Sequence, residues 1–403
     1  MTTTNIALLI TVSAFLSLFF HPKLRRQPLW QATVTPLASI IGSGFLVAGP
    51  ILAHAAGTQA WMAMIGLCGI AYLFGMAIRH NIQHIEPLLA AHPPKGVRVL
   101  ERVSDISLSL AYFVSVAYYL NLFAAFGLRL ADITDPFLIE VVATGAIAII
   151  AVIGTLRGLS GLERFEVLAV GLKLSMIAGL FVALGLASIY AINAGHFHWD
   201  MATHTHGMHE IGILLGLVIL VQGFETSRYL SSKYDVETRI KTMRWAQWLS
   251  SVIYLVFILL ITSFFTDRLS AEGGETAIID MLSPIATTIA PLIIIAALAS
   301  QSSAAVADMN GAAGLLAEAS GRRLSVNYGN LITALVAVAI TWTTNIYEII
   351  AYASKAFVIY YALQSAQAAW SAWRQGRHGY AALFLLAVVM AVIVLVFAIP
   401  ASV

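Results

Sequence analysis

The chain has 403 residues, of which 60% are hydrophobic and only 10% are charged, and its mean hydropathy is +0.86. Soluble domains carry about 25% charged residues, because a surface in water has to be covered with polar groups. A chain this long and this poor in charge is therefore predicted to have lipid as its solvent. The formal net charge of +2 and the lack of a basic stripe argue against nucleic-acid binding. The single Cys68 lies in an apolar run and excludes an internal disulfide.

The chain begins with an apolar segment, residues 5–20, that is followed by the basic stretch His21–Arg26. No basic region precedes this segment and no small-residue cleavage site follows it, so we expect a retained leading helix rather than a cleaved signal peptide. Eleven further segments approach the roughly 20 apolar residues that a membrane-crossing helix needs. They centre on residues 33–55, 59–78, 105–130, 136–155, 164–190, 211–230, 246–266, 285–309, 327–344, 347–370 and 379–400. The sequence thus predicts an all-α integral membrane protein with about 12 transmembrane helices.

The basic residues concentrate in alternate loops between these spans. Of the 22 Lys and Arg residues, 18 lie in one set of loops, whereas Arg129 and Arg268 lie on the opposite side. Lys173 and Lys355 lie within spans. The positive-inside rule places the basic set in the cytoplasm. We therefore expect a multi-pass protein of the cell (plasma or inner) membrane with both termini on the non-cytoplasmic side.

The first long span is interrupted at mid-depth by Gly42-Ser43-Gly44 and again by Gly49-Pro50. Small residues also allow close helix packing in membranes, which is the simpler explanation. An unwound stretch inside a membrane, however, is tolerated only where it lines a cavity or is buried in protein. At such a break the N-terminus of a half-helix presents backbone N–H groups that can bind a carboxylate. The pattern therefore favours a substrate site at this break.

A second interruption, Gln222-Gly223-Phe224-Glu225, lies five helices later, in the span that begins at Ile211. Corresponding interruptions in two halves indicate a transporter binding site, and an odd number of helices per half makes the second half inverted. The alternative is a helix that ends at Gly223 and leaves Glu225 near the cytoplasmic face. The expected domains are a leading helix with a basic loop at 1–29, a first five-helix repeat at 30–190, an external His-rich loop at 191–209, a second five-helix repeat at 210–372 and a final helix at 373–403.

Three motifs resemble the amino acid–polyamine–organocation (APC) superfamily of transporters. Residues 40–57, IIGSGFLVAGPILAHAAG, are similar to its first helix, and Gly223-Phe224-Glu225 is similar to the Gly-Phe-Glu of its sixth helix. Gly171-Leu-Lys173-Leu resembles the fifth helix of its proton-coupled or sodium-independent members. The resemblance implies a leucine-transporter-type fold that moves an amino acid or related organic amine by alternating access. The leading helix, the single helix after the repeats and the apolar Leu220 and Val221 depart from many members.

The resemblance also implies where the substrate binds. Its carboxylate would sit on the N–H groups around Ser43, Gly44 and Phe45, and its amine would meet carbonyl groups near Ile219 to Gln222. Tyr118 could line the cavity, although packing in the core explains it equally well. The candidate substrate-binding residues are Ile41, Gly42, Ser43, Gly44, Phe45, Tyr118, Ile219, Gln222 and Gly223.

Polar and charged residues at depth are candidates for ion coupling, because a charge in lipid is expensive. Lys173 lies about 15 Å into its span at 1.5 Å per residue, and a buried lysine can lose its proton within the physiological range. Together with Glu225 it is a candidate for proton coupling, or it is a fixed cation in place of sodium; a statically paired lysine is the alternative. Ser302 and Ser303 could take part in coupling or bond their own helix. Asp308 is expected near the cytoplasmic end, where water reaches it.

The external loop is rich in histidine: His196, His198, His204, His206 and His209. Imidazoles at this spacing bind zinc, copper or nickel. A metal-ion transporter, or a non-transporting ligand sensor on a transporter scaffold, is therefore the rival function, and a solvated loop is the simpler explanation. No P-loop, catalytic triad or metal-hydrolase motif indicates an enzyme, and no cofactor is expected. The expected partners are a small-molecule substrate, protons and the lipid bilayer; no dedicated dimer motif is evident.

Overall fold

The structure is a computed structural model that describes residues 2–42, 44–91, 93–157, 163–197, 199, 207–265 and 274–401. Within these ranges the secondary structure is helical with connecting turns. Short 3₁₀ segments at Val218–Val221 and Phe224–Leu230 follow the tenth α-helix. The α-helices are α1 Thr2–Phe19, α2 Pro22–Arg25, α3 Pro28–Ile40, α4 Gly44–Ala56, α5 Ala60–His84, α6 Glu86–Ala90, α7 Lys95–Leu128, α8 Pro136–Arg157, α9 Glu163–Asn193, α10 Met208–Leu215, α11 Val236–Thr262, α12 Ala277–Leu282, α13 Ile289–Ala319, α14 Val326–Thr343, α15 Ile346–Arg374 and α16 His378–Phe397.

Ten helical stretches of the described residues are long and apolar enough to cross a membrane. The first of them, Pro28–Ala90, is 63 residues long and contains α3, α4 and α5. The shorter apolar helix α1 precedes it. The sequence prediction of about 12 spans agrees with these ten stretches, because it treats the first stretch as two crossings, α3–α4 and α5, and includes α1 as a further crossing. The chain is therefore an all-α, multi-pass membrane protein.

The spans form two repeats of five helices. The first repeat consists of α3–α4, α5, α7, α8 and α9, and the second consists of α10 with its 3₁₀ continuation, α11, α13, α14 and α15. Helices at equal positions pack against each other: α5 on α11, α7 on α13 and α8 on α14. Because each repeat has an odd number of helices, the second is inverted in the membrane relative to the first. The two broken helices, which open the repeats, contact each other.

Two helices lie outside the repeats. The last, α16, packs along α15. The leading helix α1 packs along α9, where Gly179 leaves room for it: a Cβ atom at Gly179 would lie 2.5 Å from Val12 Cγ2. The Asn5 side chain donates to Thr287 Oγ1 over 3.2 Å and accepts from Thr288 Oγ1 over 2.8 Å. These bonds tie the start of α1 to the start of α13, so the leading helix is part of the bundle.

Candidate functional site

The first broken helix consists of α3, an unwound turn and α4. α3 ends at Ile40, and Ile41 leaves the helical region with φ of −84° and ψ of 42°. Ser43, predicted to bind the substrate carboxylate, lies outside the described residues. Gly44 begins α4, and a Cβ atom there would lie 2.8 Å from the Cα atom of Leu220 in the second broken helix. Carbon atoms in good contact are about 3.5–4.0 Å apart, so the approach of the two backbones requires a glycine at this position.

The second broken helix unwinds earlier than the sequence predicts. Directly after α10 the Ser354 hydroxyl of α15 accepts from Ile219 N–H over 2.9 Å and donates to Gly216 O over 2.5 Å. The hydroxyl group thus bridges Ile219 N–H and Gly216 O, which a 3₁₀ turn would join by a direct hydrogen bond. Further on, Gly223 has φ of +115°, a conformation that favours glycine, and a Cβ atom there would lie 2.4 Å from Ser39 Oγ. The second break thus runs from Gly216 to Gly223 and packs on α3.

Aromatic side chains connect the two breaks. The Tyr254 hydroxyl of α11 lies 2.5 Å from Leu220 O and 3.1 Å from Ile40 O, one carbonyl in each broken helix. It has a single proton and therefore donates to one of them at a time. The ring of Phe45, another predicted substrate residue, packs on Phe257 with centroids 4.1 Å apart. This side chain anchors α4 to α11.

Buried polar atoms lie where the breaks meet. Gln222 Nε2 donates to the Tyr119 hydroxyl over 3.2 Å, and the Tyr119 ring would lie 3.3 Å from a Cβ atom at Gly42. The Tyr118 ring packs on Tyr119 with centroids 5.3 Å apart. Gln222 Oε1 and Ser39 Oγ are buried and have no hydrogen-bond partner among the described residues. Gly42, Gln222 and Gly223 therefore lie close together where the two breaks meet, beside two buried polar atoms that have no hydrogen-bond partner among the described residues.

Lys173 on α9 binds the end of the first half-helix. Its ammonium group donates to Ala38 O over 3.1 Å and to Ile41 O over 2.5 Å, and the side chain is only 4% exposed. The last carbonyl groups of a helix carry partial negative charge, which stabilises a cation placed there. The Ser300 hydroxyl of α13 lies 3.4 Å from the same Ile41 O. A small cavity of about 30 Å³ with mostly apolar walls is lined by Lys173 and by Leu8 of α1.

The serine run of α13 is arranged differently from the prediction. Ser302 donates to Leu298 O of its own helix over 2.7 Å, which is the alternative weighed for it. The Ser303 hydroxyl is buried and has no hydrogen-bond partner among the described residues. Ser300 is the residue that reaches the first break. At about 100° per residue, positions 300 and 303 share a face of the helix, whereas position 302 points to another side.

Two carboxylates lie deep in the bundle. Glu225 is 0% exposed, and its Oε2 accepts from the Tyr361 hydroxyl over 2.8 Å and from Gly223 N–H over 3.0 Å. Glu225 is therefore enclosed by protein, and its depth relative to the cytoplasmic face stays a prediction. Asp308 is 1% exposed and accepts from Ser115 of α7. The expectation that water reaches Asp308 is wrong, because α7 covers it. That tertiary contact is not visible in the hydropathy of α13.

A network of ion pairs lies at the predicted cytoplasmic end of the second broken helix. Arg228 pairs with Glu101 at 2.6 Å and with Glu86 at 3.5 Å. Arg239 binds Glu86 through two contacts of 2.6 Å and 3.1 Å. The network joins the 3₁₀ segment, α6, α7 and α11. Sequence reasoning missed it: all four residues stand near predicted cytoplasmic loops, but the sequence does not reveal which of them meet.

A cavity of about 850 Å³, here called the vestibule, is lined by another part of the same 3₁₀ segment. Arg26 and Lys233 lie at its exposed rim, next to the partly buried Arg25. Inwards it reaches Tyr112 of α7 and Thr226, which follows Glu225 in the chain. The basic residues belong to the set predicted to be cytoplasmic, so the vestibule faces that side in the predicted orientation.

The histidine loop is only partly described. His198, His204 and His206 lie outside the described residues. His196 follows the end of α9 and is exposed. Among the residues that the structure describes, no group of three or more His, Cys, Asp or Glu side chains is arranged to hold a metal ion.

Two broken helices that open two inverted five-helix repeats, and meet inside the bundle, define a membrane transporter of the leucine-transporter-type fold. The chain belongs to the APC superfamily: its residues 22–398 match the family described as APC superfamily transporter. The resemblance carried by the three motifs is thereby confirmed.

Two known proteins are similar to this chain over nearly its whole length. An uncharacterised protein of Aquifex aeolicus (strain VF5) is 41% identical over 369 residues, which cover 91% of this chain and 89% of the relative. Among solved structures, a Na⁺-coupled sialic acid symporter in its substrate-bound outward-open state has a TM-score of 0.56 at 15% identity, over 99% of this chain and 98% of that one. At this identity the likeness shows the fold alone.

Proposed function

We propose that the protein is a secondary active transporter that moves an amino acid or related organic amine across the cell membrane by alternating access, coupled to protons. The observation that carries the coupling is the position of Lys173. Its ammonium group is bound by Ala38 O and Ile41 O at the end of α3, beside the first break. Carbonyl and hydroxyl oxygens are the ligands that a hard cation prefers, and here a side-chain cation takes that place.

The substrate assignment rests on what the two breaks offer. The first N–H groups of a helix have no partner within it and carry partial positive charge, so the start of α4 at Gly44 suits a carboxylate. Ser39 Oγ and Gln222 Oε1, both buried and without a hydrogen-bond partner among the described residues, can accept from an ammonium group. An amino acid carries a carboxylate and an ammonium group on one carbon atom and therefore suits both breaks.

Proton coupling follows from the dependence of Lys173 on α3. A movement of α3 that withdraws Ala38 O and Ile41 O removes two acceptors from a buried ammonium group, which favours loss of the proton. Alternating access then links the position of the broken helix to the protonation of Lys173. Sodium would have to displace the ammonium group from the same oxygens, so the proton is the coupling ion in this scheme.

The vestibule and the ion-pair network suit a transporter that is open to the cytoplasm. In this scheme both termini lie outside the cell, and the vestibule of about 850 Å³ is the inner exit path. The pairs of Arg228 and Arg239 hold the second broken helix to α6, α7 and α11 beside that path. The activity is transport, with no chemical conversion of the substrate.

Uptake into proteoliposomes tests this proposal. Radiolabelled amino acids are offered with an inward proton gradient, an inward sodium gradient or neither. We expect only the proton gradient to accelerate uptake, and we expect Lys173→Gln to abolish this acceleration. Lys355→Gln is the matched control, because Lys355 also lies within a span, on α15, but is only partly buried; its uptake should keep the proton response.

Each other outcome contradicts a definite part of the proposal. Uptake that responds to neither gradient refutes the coupling, and uptake driven by sodium refutes the choice of ion. A proton response that survives in Lys173→Gln removes Lys173 from the mechanism. Ligand binding without uptake of any amino acid or amine would favour the rival function, a ligand sensor on a transporter scaffold.

A further inference from the structure

Arg79 of α5 is a cation that the proposed transport scheme does not use. Its side chain is only 5% exposed; the guanidinium group donates to Gln247 Oε1 of α11 and lies 4.8 Å from the centroid of the Tyr72 ring. Its Nη2 atom is buried and has no hydrogen-bond partner among the described residues, and Arg79 forms no ion pair with any of them. A buried charge without a counter-ion is unfavourable, so this position suits an anion.

Arg79 lies on the side of α5 that faces outwards between α11 and α16. Exposed or partly exposed positions recur every three or four residues along this side, and position 79 continues the series: Ile65, Gly69, Tyr72, Met76 and Gln83. On one edge the Tyr72 ring packs on the exposed Trp248 of α11, with centroids 5.5 Å apart. On the other edge Met76 packs on the apolar cluster that contains Phe384 of α16. This side of α5 is therefore the floor of a groove that opens to the surrounding membrane.

The depth of Arg79 matches the level of lipid headgroups. It lies nineteen residues after Ala60, the first residue of α5, which is about 28 Å along the helix axis. The hydrocarbon layer is about 30 Å thick. Trp245 and Trp248 of α11 are exposed, and tryptophan concentrates at membrane–water interfaces. In the predicted orientation this level is that of the phosphate groups in the cytoplasmic leaflet.

A second cation and an open apolar surface adjoin Arg79. Arg244 is exposed and lies three residues before Gln247 on α11, which is about 4.5 Å along the axis. Because Gln247 contacts Arg79, the two arginines lie on neighbouring helices at nearly the same level. Towards the middle of the membrane the groove is not filled: a Cβ atom at Gly66 or at Gly69 would meet nothing within 4 Å. Two cations beside an unfilled apolar groove match the phosphate and the acyl chain of one lipid molecule.

We propose that this groove binds an anionic phospholipid of the cytoplasmic leaflet. Arg244 contacts the phosphate group at the mouth of the groove, and Arg79 Nη2 is the inner donor, which the phosphate reaches when the Tyr72 ring turns aside. Guanidinium groups suit this role, because their N–H groups form charge-assisted hydrogen bonds with phosphate oxygens. An acyl chain lies along Gly69 and Gly66. The site does not depend on which substrate is transported.

The test uses the purified full-length protein, freed of lipid in an uncharged detergent. Dioleoylphosphatidylglycerol, dioleoylphosphatidylcholine or inorganic phosphate is added. The two lipids have the same acyl chains, and only the first has a net negative headgroup. A ligand that binds the native state raises the thermal midpoint in a concentration-dependent way. We expect phosphatidylglycerol to act at a concentration about 10-fold lower than phosphatidylcholine, and inorganic phosphate at the same concentration to have no effect.

Two variants test the arginines. Arg79→Gln and Arg244→Gln should each raise the concentration of phosphatidylglycerol that is needed by about 5-fold or more, without changing the response to phosphatidylcholine. Arg323→Gln is the matched control. It removes the same charge from an exposed position of the predicted cytoplasmic side, in the turn between α13 and α14, and should respond as the wild type does.

Three results would overturn the proposal. The first is that both lipids stabilise the wild type at equal concentrations. The second is that Arg79→Gln and Arg244→Gln respond to phosphatidylglycerol as Arg323→Gln does, which would mean a general attraction to the basic side of the protein. The third is that inorganic phosphate reproduces the effect, which would mean a site for a free anion. Replacement of the exposed Arg244 leaves folding nearly unchanged, so a misfolded Arg79→Gln does not protect the proposal.

Discussion

Ser354→Ala tests how the second broken helix is held open. The serine hydroxyl accepts from Ile219 N–H over 2.9 Å and donates to Gly216 O over 2.5 Å, and all three residues are buried. Alanine can do neither, so one backbone donor and one backbone acceptor lose their partner. A buried polar group left unsatisfied costs about 1–3 kcal/mol, so we expect the free energy of unfolding to fall by about 2–6 kcal/mol.

Ser365→Ala is the matched control for this experiment. Ser365 lies on the same helix and is equally buried, but its hydroxyl has no hydrogen-bond partner among the described residues. Its replacement should change the free energy of unfolding by no more than about 0.5 kcal/mol in the destabilising direction. Both variants can be compared by unfolding in mixed detergent micelles with SDS as denaturant. If the two losses are equal, Ser354 does not hold the break.

Three further predictions concern other contacts. Gly44→Ala places a Cβ atom 2.8 Å from Leu220 Cα, so the broken helices have to separate by about 0.7 Å. The thermal midpoint and ligand binding should both fall, whereas Gly69→Ala, where a Cβ atom meets nothing within 4 Å, should be tolerated. Glu101→Gln weakens the ion pair with Arg228 and should destabilise by about 1.5–3 kcal/mol; a loss no greater than in Glu237→Gln, at an exposed position, would contradict this. Burial raises the pKa of Glu275, so its contribution to stability is full below the unfolded-state pKa and is lost as pH rises through the folded-state pKa. The thermal midpoint of Glu275→Gln should therefore fall less than that of the wild type as pH is raised from about 4 to about 8. If the two plots of thermal midpoint against pH run parallel, Glu275 has no such effect.

The breaks were predictable because glycine at mid-membrane depth is a local signal. Gly42, Gly44 and Gly223 each take part in a close backbone approach or a left-handed conformation. The start of the second break at Gly216 was not predictable in the same way. It depends on Ser354, which lies 138 residues further along the chain. The sequence around Ser354 does not show that this serine, unlike Ser365 on the same helix, bonds the backbone of another helix.

The proposed coupling site was likewise predictable only in part. The burial of Lys173 was predictable from its position about ten residues into an apolar span. Its acceptors, Ala38 O and Ile41 O, are backbone carbonyls, which every residue has, so no residue type could have identified them. The choice of Ser300 over Ser302 depends on the rotation of α13 against α3, which tertiary packing decides.

The leading helix α1 brings Leu8 to the wall of the mostly apolar cavity that Lys173 also lines. Apolar side chains cannot solvate an ammonium group, so the oxygens that Lys173 contacts, among them Ala38 O and Ile41 O of α3, replace water around it. A helix outside both repeats thus contributes to the surroundings of the residue on which the proposed proton coupling depends.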